Sequence, residues 1–389
     1  MAKRAASKPP RSSKPHGSES RATKAGKGRA ASGMTYAAAG IDLERYDGFV
    51  GKLGPMLKRT HGPRVIPNPG GFAGLFRLDY NEKLFARNYR DPVLVACADG
   101  VGTKIKIAQQ LGILHTVGID LVAMNVNDLI VEGAEPLFFL DCLSVPQVDD
   151  RLCAAVMHGV VEGCRIANCA LLGGETAEMG DLFKPGDFDL TGTAVGVVEL
   201  HKAVSRRAPA PGDVILGLAS SGIHSNGFTL ARKIIDDTGL DLHKSYDELT
   251  DPQTGHTQTL GETLLTPTRI YAEQLVKLGR AYRVKKVITA MAHITGGGVA
   301  DNLARSLDDS VDAIIRTNTW QPHGIFRLLQ ERGNVEDAEM RRVFNMGIGY
   351  CVVVRPTFAN AVAERLTKMG EQVHTIGKIV KGRGRVIEK

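Results

Sequence analysis

The sequence lacks the features of membrane and secreted proteins. It has no run of about eighteen consecutive apolar residues, the length that a transmembrane helix needs. Its N-terminus has no apolar segment of the kind found in a secretory signal peptide. We therefore expect a cytoplasmic protein with no membrane partner. The 389 residues are 43% hydrophobic, which is enough for two domains with cores of their own.

Cysteines are few and form no recognisable metal or redox motif. The six include no CxxC pair and no Cys and His spacing typical of a zinc site. Several lie in apolar periodic segments, where a free thiol behaves as a small core residue. We therefore predict free cysteines that serve as packing residues. They are Cys97, Cys142, Cys153, Cys164, Cys169 and Cys351.

The positive charge is confined to one end of the chain. The net charge is +7, but residues 1–33 carry nine Lys and Arg against one Glu, so the rest is close to neutral. This segment is too poor in apolar residues to fold, and we predict a disordered basic tail. Its composition suits a targeting peptide or a weak tether to a polyanion, and an extension without chemistry explains it equally well. We expect no nucleic-acid partner for the folded body.

Strands alternate with helices from about Asp91 onward. PVLVACA, LFFLDCLSV, ALLGG and DLTGTAVGVVEL have the composition of strands, and Leu152, Val156 and Val160 recur at helical spacing. In the second half the strands VILGLAS and GYCVVV alternate with the helical segments FTLARKIIDD, TRIYAEQLVKL and IFRLLQERG. This alternation predicts a mixed α/β fold.

A linker divides this pattern in two. Two prolines and a glycine at residues 206–213 interrupt the periodic segments. We therefore predict an N-terminal sheet domain over residues 34–205 and a C-terminal α/β domain over residues 206–389.

The stretch ACADGVGTKIKIA, residues 96–108, ends an apolar strand on Asp99. Open sheets keep their ligand crevices at such strand ends. Glycines let backbone N–H groups approach an anion, Lys104 adds a positive charge, and Asp99 is suited to a divalent cation. A tight turn would explain the glycines equally well, but a carboxylate that closes an apolar strand needs a partner.

A second group of polar residues lies in GIDLVAMNVNDLIVEGAEP, residues 118–136. Asp120 and Asn127 fall within roughly 20° of one face of a helix, and Asp128 lies about 80° away. Any one of them is explained as well by a helix cap or a solvated edge. Together with Asp99, they suggest a site for Mg²⁺ and phosphate built from carboxylates.

Two acids follow a double glycine in LLGGETAEMGD, residues 171–181. We place Glu175 and Glu178 on a loop just after a strand. A surface turn is the alternative, and the apolar strand before them favours a functional role.

Two further loops lie in the second half. SSGIHSNGF, residues 220–228, joins a strand to a helix and carries hydroxyl, amide and imidazole groups. Such donors beside a helix N-terminus suit a phosphate. HITGGGV, residues 293–299, is a second, weaker candidate for a ligand loop.

Motifs of covalent catalysis are missing. The sequence contains no GxSxG, no HExxH, no set of kinase motifs and no Cys with an obvious His partner. Many glycines, several acids and a few polar donors remain. They are typical of phosphoryl transfer, in which positioning and charge neutralisation supply most of the catalysis.

The order and spacing of these motifs resemble those of the phosphoribosylformylglycinamidine cyclo-ligase family, the AIR synthetases of purine biosynthesis. The resemblance extends from about Tyr36 to the C-terminus. The DGVGT loop alone is shared with formylglycinamidine synthetase, selenophosphate synthetase, thiamine-monophosphate kinase and a hydrogenase-maturation protein. The segments that carry the resemblance are PVLVACADGVGTK, GIDLVAMNVNDLIVEGAEPLFFLD, LLGGETAEM, SSGIHSNGFTLARKI, TPTRIY, AHITGGG and FNMGIG.

The resemblance implies a homodimer and a reaction. The N-terminal sheets of two chains would join into a shared β-barrel, with a C-terminal α/β domain beside each. ATP and formylglycinamidine ribonucleotide would give aminoimidazole ribonucleotide, ADP and phosphate. Phosphorylation turns the formyl amide oxygen into a leaving group, and the amidine nitrogen then closes the ring.

The resemblance also assigns site residues. The catalytic residues would be His224, Asp99 and Lys104, with His224 as the proton-transfer group. Mg²⁺ would be bound by Asp99, Asp120, Asp128, Glu175 and Glu178. ATP would contact Gly70, Gly71, Phe72, Gly100, Gly102, Thr103, Lys104, Asp120, Asn127, Glu175 and Thr176. The substrate or its phosphate would contact Ser221, Gly222, His224, Ser225, Asn226, Gly296, Gly297 and Gly298.

The sequence departs from the family pattern at several positions. The glycine-rich loop before the first core strand is shortened to IPNPGGFAG. Ala98 stands where a Thr is common, and Gly54 stands where a Lys is common. One contact to the nucleotide would therefore be lost or would be supplied by Lys52. Thr193 and Val299 stand at typical Phe positions, which we interpret as repacking.

Two alternatives differ in what they require. A small-molecule kinase or amide-activating relative on the same fold would not be expected to carry FNMGIG and TPTRIY. A nucleic-acid or scaffold protein would bind polyanions through the tail and turn over no ATP.

Overall fold

The computed structural model describes residues 43–68, 73–79, 88–203, 209–250, 254–282 and 285–389. The predicted basic tail, and Gly70, Gly71 and Phe72 of the predicted ATP loop, lie outside these ranges. Before the first sheet come helix α1 (Leu43–Lys58) and the short paired strands β1 (Val65–Ile66) and β2 (Leu75–Phe76).

A four-stranded sheet with helices on one face forms the first half. Its elements are β3 (Pro92–Gly100), α2 (Lys104–Leu111), α3 (His115–Val131), β4 (Glu135–Val145), α4 (Asp150–Ala167), β5 (Ala170–Glu178) and β6 (Asp189–Glu199). The strand order is β3-β6-β4-β5, with β4 and β5 parallel and the other pairs antiparallel. The carboxyl ends of β3, β4 and β5 therefore lie at one edge.

The helix α3 is the central element of this half. Its apolar residues are almost all buried, and it packs along α4. The two helices approach closely because glycines face each other. A Cβ on Gly159 would lie 1.8 Å from the His115 carbonyl oxygen, and one on Gly118 would lie 2.3 Å from the Val156 carbonyl oxygen.

Part of the opposite face of the four-stranded sheet, which we call the open sheet face, is exposed among the described residues. Alternation along a strand places Leu94 of β3 and Leu140 of β4 on the face away from the helices. Leu94 is 59% exposed and Leu140 is 37% exposed. An apolar sheet face of this kind is typical of a surface that another chain or domain covers.

A six-stranded sheet forms the second half, in the order β10-β12-β7-β13-β11-β14. The pairs are antiparallel except β11 with β14. The elements are β7 (Val214–Ala219), α5 (Phe228–Thr238), β8 (Ser245–Thr250), β9 (Thr257–Thr259), α6 (Leu260–Leu264), α7 (Ala272–Ala281), β10 (Ile288–His293), α8 (Gly298–Ala304), β11 (Val311–Ile315), α9 (Gly324–Gly333), α10 (Asp337–Val343), β12 (Ile348–Val354), α11 (Ala359–Lys368), β13 (Val373–Lys381) and β14 (Val386–Glu388).

The mixed α/β fold predicted from the sequence is confirmed. One expected boundary differs, since the segment TRIY precedes α7 rather than beginning it. All six cysteines are free, and four of them are buried. None of the helices within the described ranges combines the length and the apolar character that crossing a membrane requires.

Candidate active site

The polar face of α3 points toward the second half of the chain. Lys104 and Asp120 form an ion pair of 2.8 Å between Nζ and Oδ2, and both side chains are 0% exposed. Lys104 Nζ also donates to the carbonyl oxygens of His224 and Thr266, at 3.0 and 2.8 Å. Asp120 Oδ1 accepts hydrogen bonds from the backbone N–H and the hydroxyl of Thr268, at 2.7 and 2.6 Å.

This geometry differs from the expected roles in phosphate and Mg²⁺ binding. The three donor hydrogens of Lys104 are matched by three protein acceptors, and the carboxylate of Asp120 is likewise engaged. Burial lowers the pKa of Lys104, and the neighbouring Asp120 opposes that shift. A buried charge needs such a partner, so the pair joins α2 and α3 to the loop of residues 266–271.

Asn127 makes a second connection to the same loop. Its Nδ2 donates to the Arg269 carbonyl oxygen at 2.8 Å, and the Tyr271 backbone N–H donates to its Oδ1 at 3.0 Å. The side chain is fully buried. Both functions of the amide are used within the protein, and the expected ATP contact of Asn127 is therefore not visible in this geometry.

The carboxylates of Asp99 and Asp128 interact electrostatically with each other, and both interact with His293 of the second half. Asp99 is exposed at the end of β3, and its Oδ1 accepts a hydrogen bond from the Gly100 backbone N–H at 2.7 Å. Partial burial raises the pKa of Asp99, and the negative charge of Asp128 adds to the shift. Two carboxylates that repel each other favour a cation between them.

The turn after Asp99 leaves backbone groups facing the same space. Gly102 has a φ of +74°, a left-handed conformation that glycine adopts without strain. Thr103 precedes α2, and its Oγ1 lies 3.1 Å from the hydroxyl oxygen of Thr229. The neighbouring Ala98 is paired in register with Thr193 of β6. Lys52 of α1 forms an ion pair with Asp150.

The expectation that Glu175 and Glu178 lie on a loop is wrong. The strand β5 runs through Glu178, because its parallel pairing with β4 continues as far as Val145. Residues three apart on a strand face opposite sides of the sheet, so the two carboxylates diverge. Glu175 is exposed, whereas Glu178 Oε1 accepts a hydrogen bond from the Val148 backbone N–H at 2.7 Å.

A third acid in this sheet was not found from the sequence. Asp141 of β4 is 7% exposed and lies beside Gly174, where a Cβ would come within 2.3 Å of Asp141 Oδ1. Burial, with a smaller contribution from Glu175, raises the pKa of Asp141 to about 7. Thr176, an expected ATP contact, is also buried on β5. The one sequence signal for Asp141 is that a carboxylate interrupts the apolar run of β4.

His224 is held as a neutral imidazole. Its backbone has a φ of +68°, and its Nε2 accepts a hydrogen bond from the Ser221 backbone N–H at 3.1 Å. The hydrogen of the ring is therefore on Nδ1, which is buried and has no partner among the described residues. Burial, together with nearby His293 and Lys104, holds the pKa of His224 well below its usual value.

The other residues of this loop are fixed by neighbouring segments. Ser221 Oγ donates to the Pro267 carbonyl oxygen at 2.6 Å, and Ser225 Oγ lies 3.0 Å from Thr268 Oγ1. Asn226 Nδ2 lies 3.8 Å from the sulfur of Met124, and the Gly222 carbonyl oxygen accepts from Asn345 at 2.9 Å. The loop thus meets both α3 and the segment before α7.

The glycine loop before α8 is shaped by Asn302. Its Nδ2 donates to the carbonyl oxygens of Thr295, Gly296 and Gly298 at 3.3, 3.1 and 2.9 Å. Gly297 has a φ of +97°. A Cβ on Gly298 would lie 1.8 Å from the Arg341 carbonyl oxygen, so this position requires glycine.

Three ring residues behind the site were not singled out in the sequence. His293, Tyr271 and Tyr350 form a row with His224, with centroids 5.3–6.5 Å apart along the row. His293 Nδ1 lies 2.9 Å from Asp128 Oδ1. His293 was visible only as the first residue of HITGGGV, and nothing in the sequence pairs it with Asp128.

Solved structures with a similar fold include a kinase and a hydrogenase maturation protein. Thiamine-monophosphate kinase from Stenotrophomonas maltophilia superposes with a TM-score of 0.61 and 19% identity, covering 86% of this chain and 94% of that one. Hydrogenase maturation protein HypE in complex with ATP gives a TM-score of 0.57 and 16% identity, covering 87% and 90%. At these identities the comparison establishes the fold alone.

Sequence relatives are much more similar. Residues 86–198 match the family described as AIR synthase related protein, N-terminal domain, and residues 210–389 match its C-terminal domain. The phosphoribosylformylglycinamidine cyclo-ligase of Burkholderia cenocepacia is 45% identical over 349 residues, which cover 90% of this chain and 94% of that protein. The enzyme of the same name from Brevibacillus brevis is 44% identical over 353 residues, covering 90% and 97%. The chain therefore belongs to the phosphoribosylformylglycinamidine cyclo-ligase family.

Proposed function

We propose that this protein converts formylglycinamidine ribonucleotide and ATP into aminoimidazole ribonucleotide, ADP and phosphate, a step of purine biosynthesis. The identity of about 45% over nine-tenths of the chain with enzymes of this name carries the proposal. The interacting carboxylates of Asp99 and Asp128 support it, because phosphoryl transfer needs a cation to neutralise phosphate.

The chemistry follows from the weak electrophilicity of an amide. The formyl amide oxygen attacks the γ-phosphorus of ATP, and ADP leaves. The amidine nitrogen then attacks the formyl carbon. The bond between this carbon and the phosphorylated oxygen breaks, and phosphate departs with that oxygen. The protein has to hold the two reactants in line and neutralise the charge that develops.

Asp99 and Asp128 fit a Mg²⁺ ion that the phosphates complete. Within the described residues, no three His, Cys, Asp or Glu side chains converge closely enough to form a metal site by themselves. Mg²⁺ commonly uses one or two carboxylates and takes its other ligands from water and phosphate oxygens. When bound, the ion would neutralise negative charge on the transferring phosphoryl group. Glu175 is exposed and is a further candidate, whereas Asp120 and Glu178 are engaged elsewhere.

His224 would donate a hydrogen bond rather than accept a proton. Its Nε2 lone pair is occupied by the Ser221 backbone N–H, which leaves Nδ1–H as the polar group without a partner. A neutral N–H donor suits a substrate oxygen or a phosphoryl oxygen. The role expected from the sequence, proton transfer, would require that this hydrogen bond break first.

The backbone-rich segments would bind the anionic groups. Gly100, Gly102 and Thr103 lie at the exposed turn after Asp99, where ATP phosphates would be placed. The loops at residues 220–228 and 295–298 would hold the substrate and its phosphate. We also propose that Gly70, Gly71 and Phe72 contact ATP, as expected from the sequence.

We also propose that two chains pair through the open sheet face. Leu94 and Leu140 are exposed there, and the family resemblance implies a barrel shared by two chains. Leu140→Asp should shift the mass measured by light scattering from two chains to one. An unchanged dimer would contradict this placement of the interface.

The decisive experiment for the function measures product and ADP together. Purified protein, Mg²⁺, ATP and the formylamidine substrate should release one ADP for each aminoimidazole formed, with the aromatic amine detected after diazotisation. Asp99→Asn should abolish both signals, whereas Asp237→Asn on the exposed surface of α5 should not. ADP release with a phosphorylated product, or turnover without substrate, would refute the proposal in favour of a kinase or an uncoupled ATPase.

A further inference from the structure

We infer that His293 is a positioning residue that fixes the orientation of the Asp128 carboxylate for binding Mg²⁺. This inference rests on the proposed function and on its placement of the metal. It adds a residue from the second half of the chain to a site whose proposed carboxylates come from the first half.

The contact between the two side chains is short and asymmetric. His293 Nδ1 lies 2.9 Å from Asp128 Oδ1. The imidazole side chain is 1% exposed, whereas the Asp128 side chain is 39% exposed. One carboxylate oxygen is therefore tied to a buried donor while the side chain as a whole is partly exposed. A hydrogen-bonded carboxylate keeps a single orientation, which reduces the entropy that metal binding would otherwise cost.

The imidazole is itself fixed by the six-stranded sheet. His293 closes β10 and is paired in register with Tyr350 of β12. The two rings are stacked, with centroids 6.1 Å apart and an angle of 25° between their planes. Tyr350 is fully buried. The nitrogen that faces Asp128 is thus held by the same strands that form the core of the second half.

The direction of the hydrogen bond follows from the partners. The Asp128 side chain is 39% exposed to solvent, and an ionised carboxylate only accepts hydrogen bonds. Nδ1 of His293 therefore carries the hydrogen that is donated to Asp128. Among the described residues, Nε2 has no hydrogen-bond partner. The useful atom of His293 is Nδ1, and a substitute needs a donor at that position.

A purely structural role for this contact predicts a different result. The two halves are already joined by hydrogen bonds that buried side chains of the first half make to the second. Lys104 and Asp120 bond to the loops that carry His224 and Thr268, and Asn127 bonds to the backbone of Arg269 and Tyr271. Loss of the His293 contact should therefore leave the halves docked. If the contact served only to join them, a substitution would change the unfolding midpoint and leave metal affinity unchanged.

Asparagine and glutamine separate the two nitrogens of the ring. In His293→Asn the side-chain amide nitrogen lies near the position of Nδ1 and can still donate to Asp128. In His293→Gln the amide extends toward the position of Nε2, so the donor to Asp128 is lost. His158→Gln, at an exposed position of α4, is the matched control for the glutamine substitution.

The readout is binding of Mn²⁺, which substitutes for Mg²⁺ and is measured by electron paramagnetic resonance. The full-length protein is titrated in the presence of a non-hydrolysable ATP analogue, so no turnover is needed. His293→Gln should weaken Mn²⁺ binding by about 10-fold to 100-fold, the range for loss of a partner that orients a metal ligand. His293→Asn should stay within about threefold of the unmodified protein, and His158→Gln should match it.

The outcomes distinguish this inference from the proposed function. If Asp128→Asn weakens Mn²⁺ binding and His293→Gln does not, the metal is placed correctly and the role of His293 is refuted. If neither Asp99→Asn nor Asp128→Asn changes Mn²⁺ binding, the placement of the metal fails and the inference fails with it. Equal losses in His293→Asn and His293→Gln would show that ring packing, not donation from Nδ1, is what matters, and would overturn the inference.

Discussion

Replacement of Asp120 by alanine should destabilise the protein strongly, because Asp120 is the counterion of a buried ammonium group. Both side chains of the Lys104 and Asp120 pair are 0% exposed, and the charged atoms are 2.8 Å apart. Removal of one partner from a buried pair costs about 3–5 kcal/mol of unfolding free energy. The variant also removes the acceptor for the backbone N–H and hydroxyl of Thr268.

A double-mutant cycle identifies the cause of this loss. Lys104→Met in the Asp120→Ala background removes the unpaired charge and fills part of its space with an apolar side chain. The double variant should therefore be more stable than Asp120→Ala alone, by more than the uncertainty of about 0.5 kcal/mol for independent sites. Urea unfolding followed by circular dichroism gives the midpoints and slopes for all four proteins.

Asp237→Ala is the control for a surface pair. Asp237 and Lys233 are spaced i, i+4 on α5 and are both more than half exposed. Loss of such a pair should cost less than about 0.5 kcal/mol. If Asp120→Ala costs no more than this control, or if Lys104→Met lowers stability further in the double variant, the assignment of Lys104 and Asp120 to a structural pair is refuted. A metal role for Asp120 would then be favoured.

Two further predictions follow from close packing and from burial. Gly349→Ala should destabilise the protein and lower its activity, because a Cβ there would lie 2.2 Å from Tyr271 Oη and 2.5 Å from His224 Cε1; Gly279→Ala in α7, with nothing within 4 Å, should stabilise it by about 0.5–1 kcal/mol. Thermal melts of both variants, together with the rate of product formation, check this pair. The pKa of Asp141 is raised from 3.8 to about 7 in the folded state, so the unmodified protein loses stability as pH rises through this interval. Asn does not titrate, so Asp141→Asn should gain stability relative to the unmodified protein over the same interval. The gain should reach about 4 kcal/mol at most, at pH 8, and should vanish near pH 4; urea midpoints that change with pH in parallel for both proteins would contradict it.

The strands and helices were predictable because each has a periodic pattern of its own. Val156, Val160 and Cys164 recur at helical spacing and are all buried on α4. The apolar run that ends at Asp99 forms β3, and the turn after it leads into α2 as expected. These elements depend on short-range patterns that a single sequence shows.

The position of the acids in β5 depended on pairing between strands. The double glycine before Glu175 suggested the end of a strand, but Gly174 is required for another reason. It lies against the side chain of Asp141 on the neighbouring β4, and the pairing continues past it. The register of these two strands, whose paired residues are more than thirty positions apart, could not be read from either strand alone.

The polar side chains of α3 contact other parts of the protein, whereas the sequence suggested that they form a site for Mg²⁺ and phosphate. Asp120, Asn127 and Asp128 do share the side of the helix that faces the second half of the chain. Their partners are Lys104, the loop of residues 266–271 and His293, and most of these lie more than 130 residues away. The same polar side chains can bind a metal or form hydrogen bonds to another part of the chain. Only the packing of the two halves distinguishes these two uses.

The fate of one oxygen atom tests the central claim most directly. The substrate is prepared with ¹⁸O in its formyl amide, and the inorganic phosphate released during turnover is analysed by mass spectrometry. Phosphorylation of the amide oxygen followed by ring closure predicts that the label moves into phosphate, one ¹⁸O for each aminoimidazole formed. Unlabelled phosphate, with the label released into water, would contradict the account.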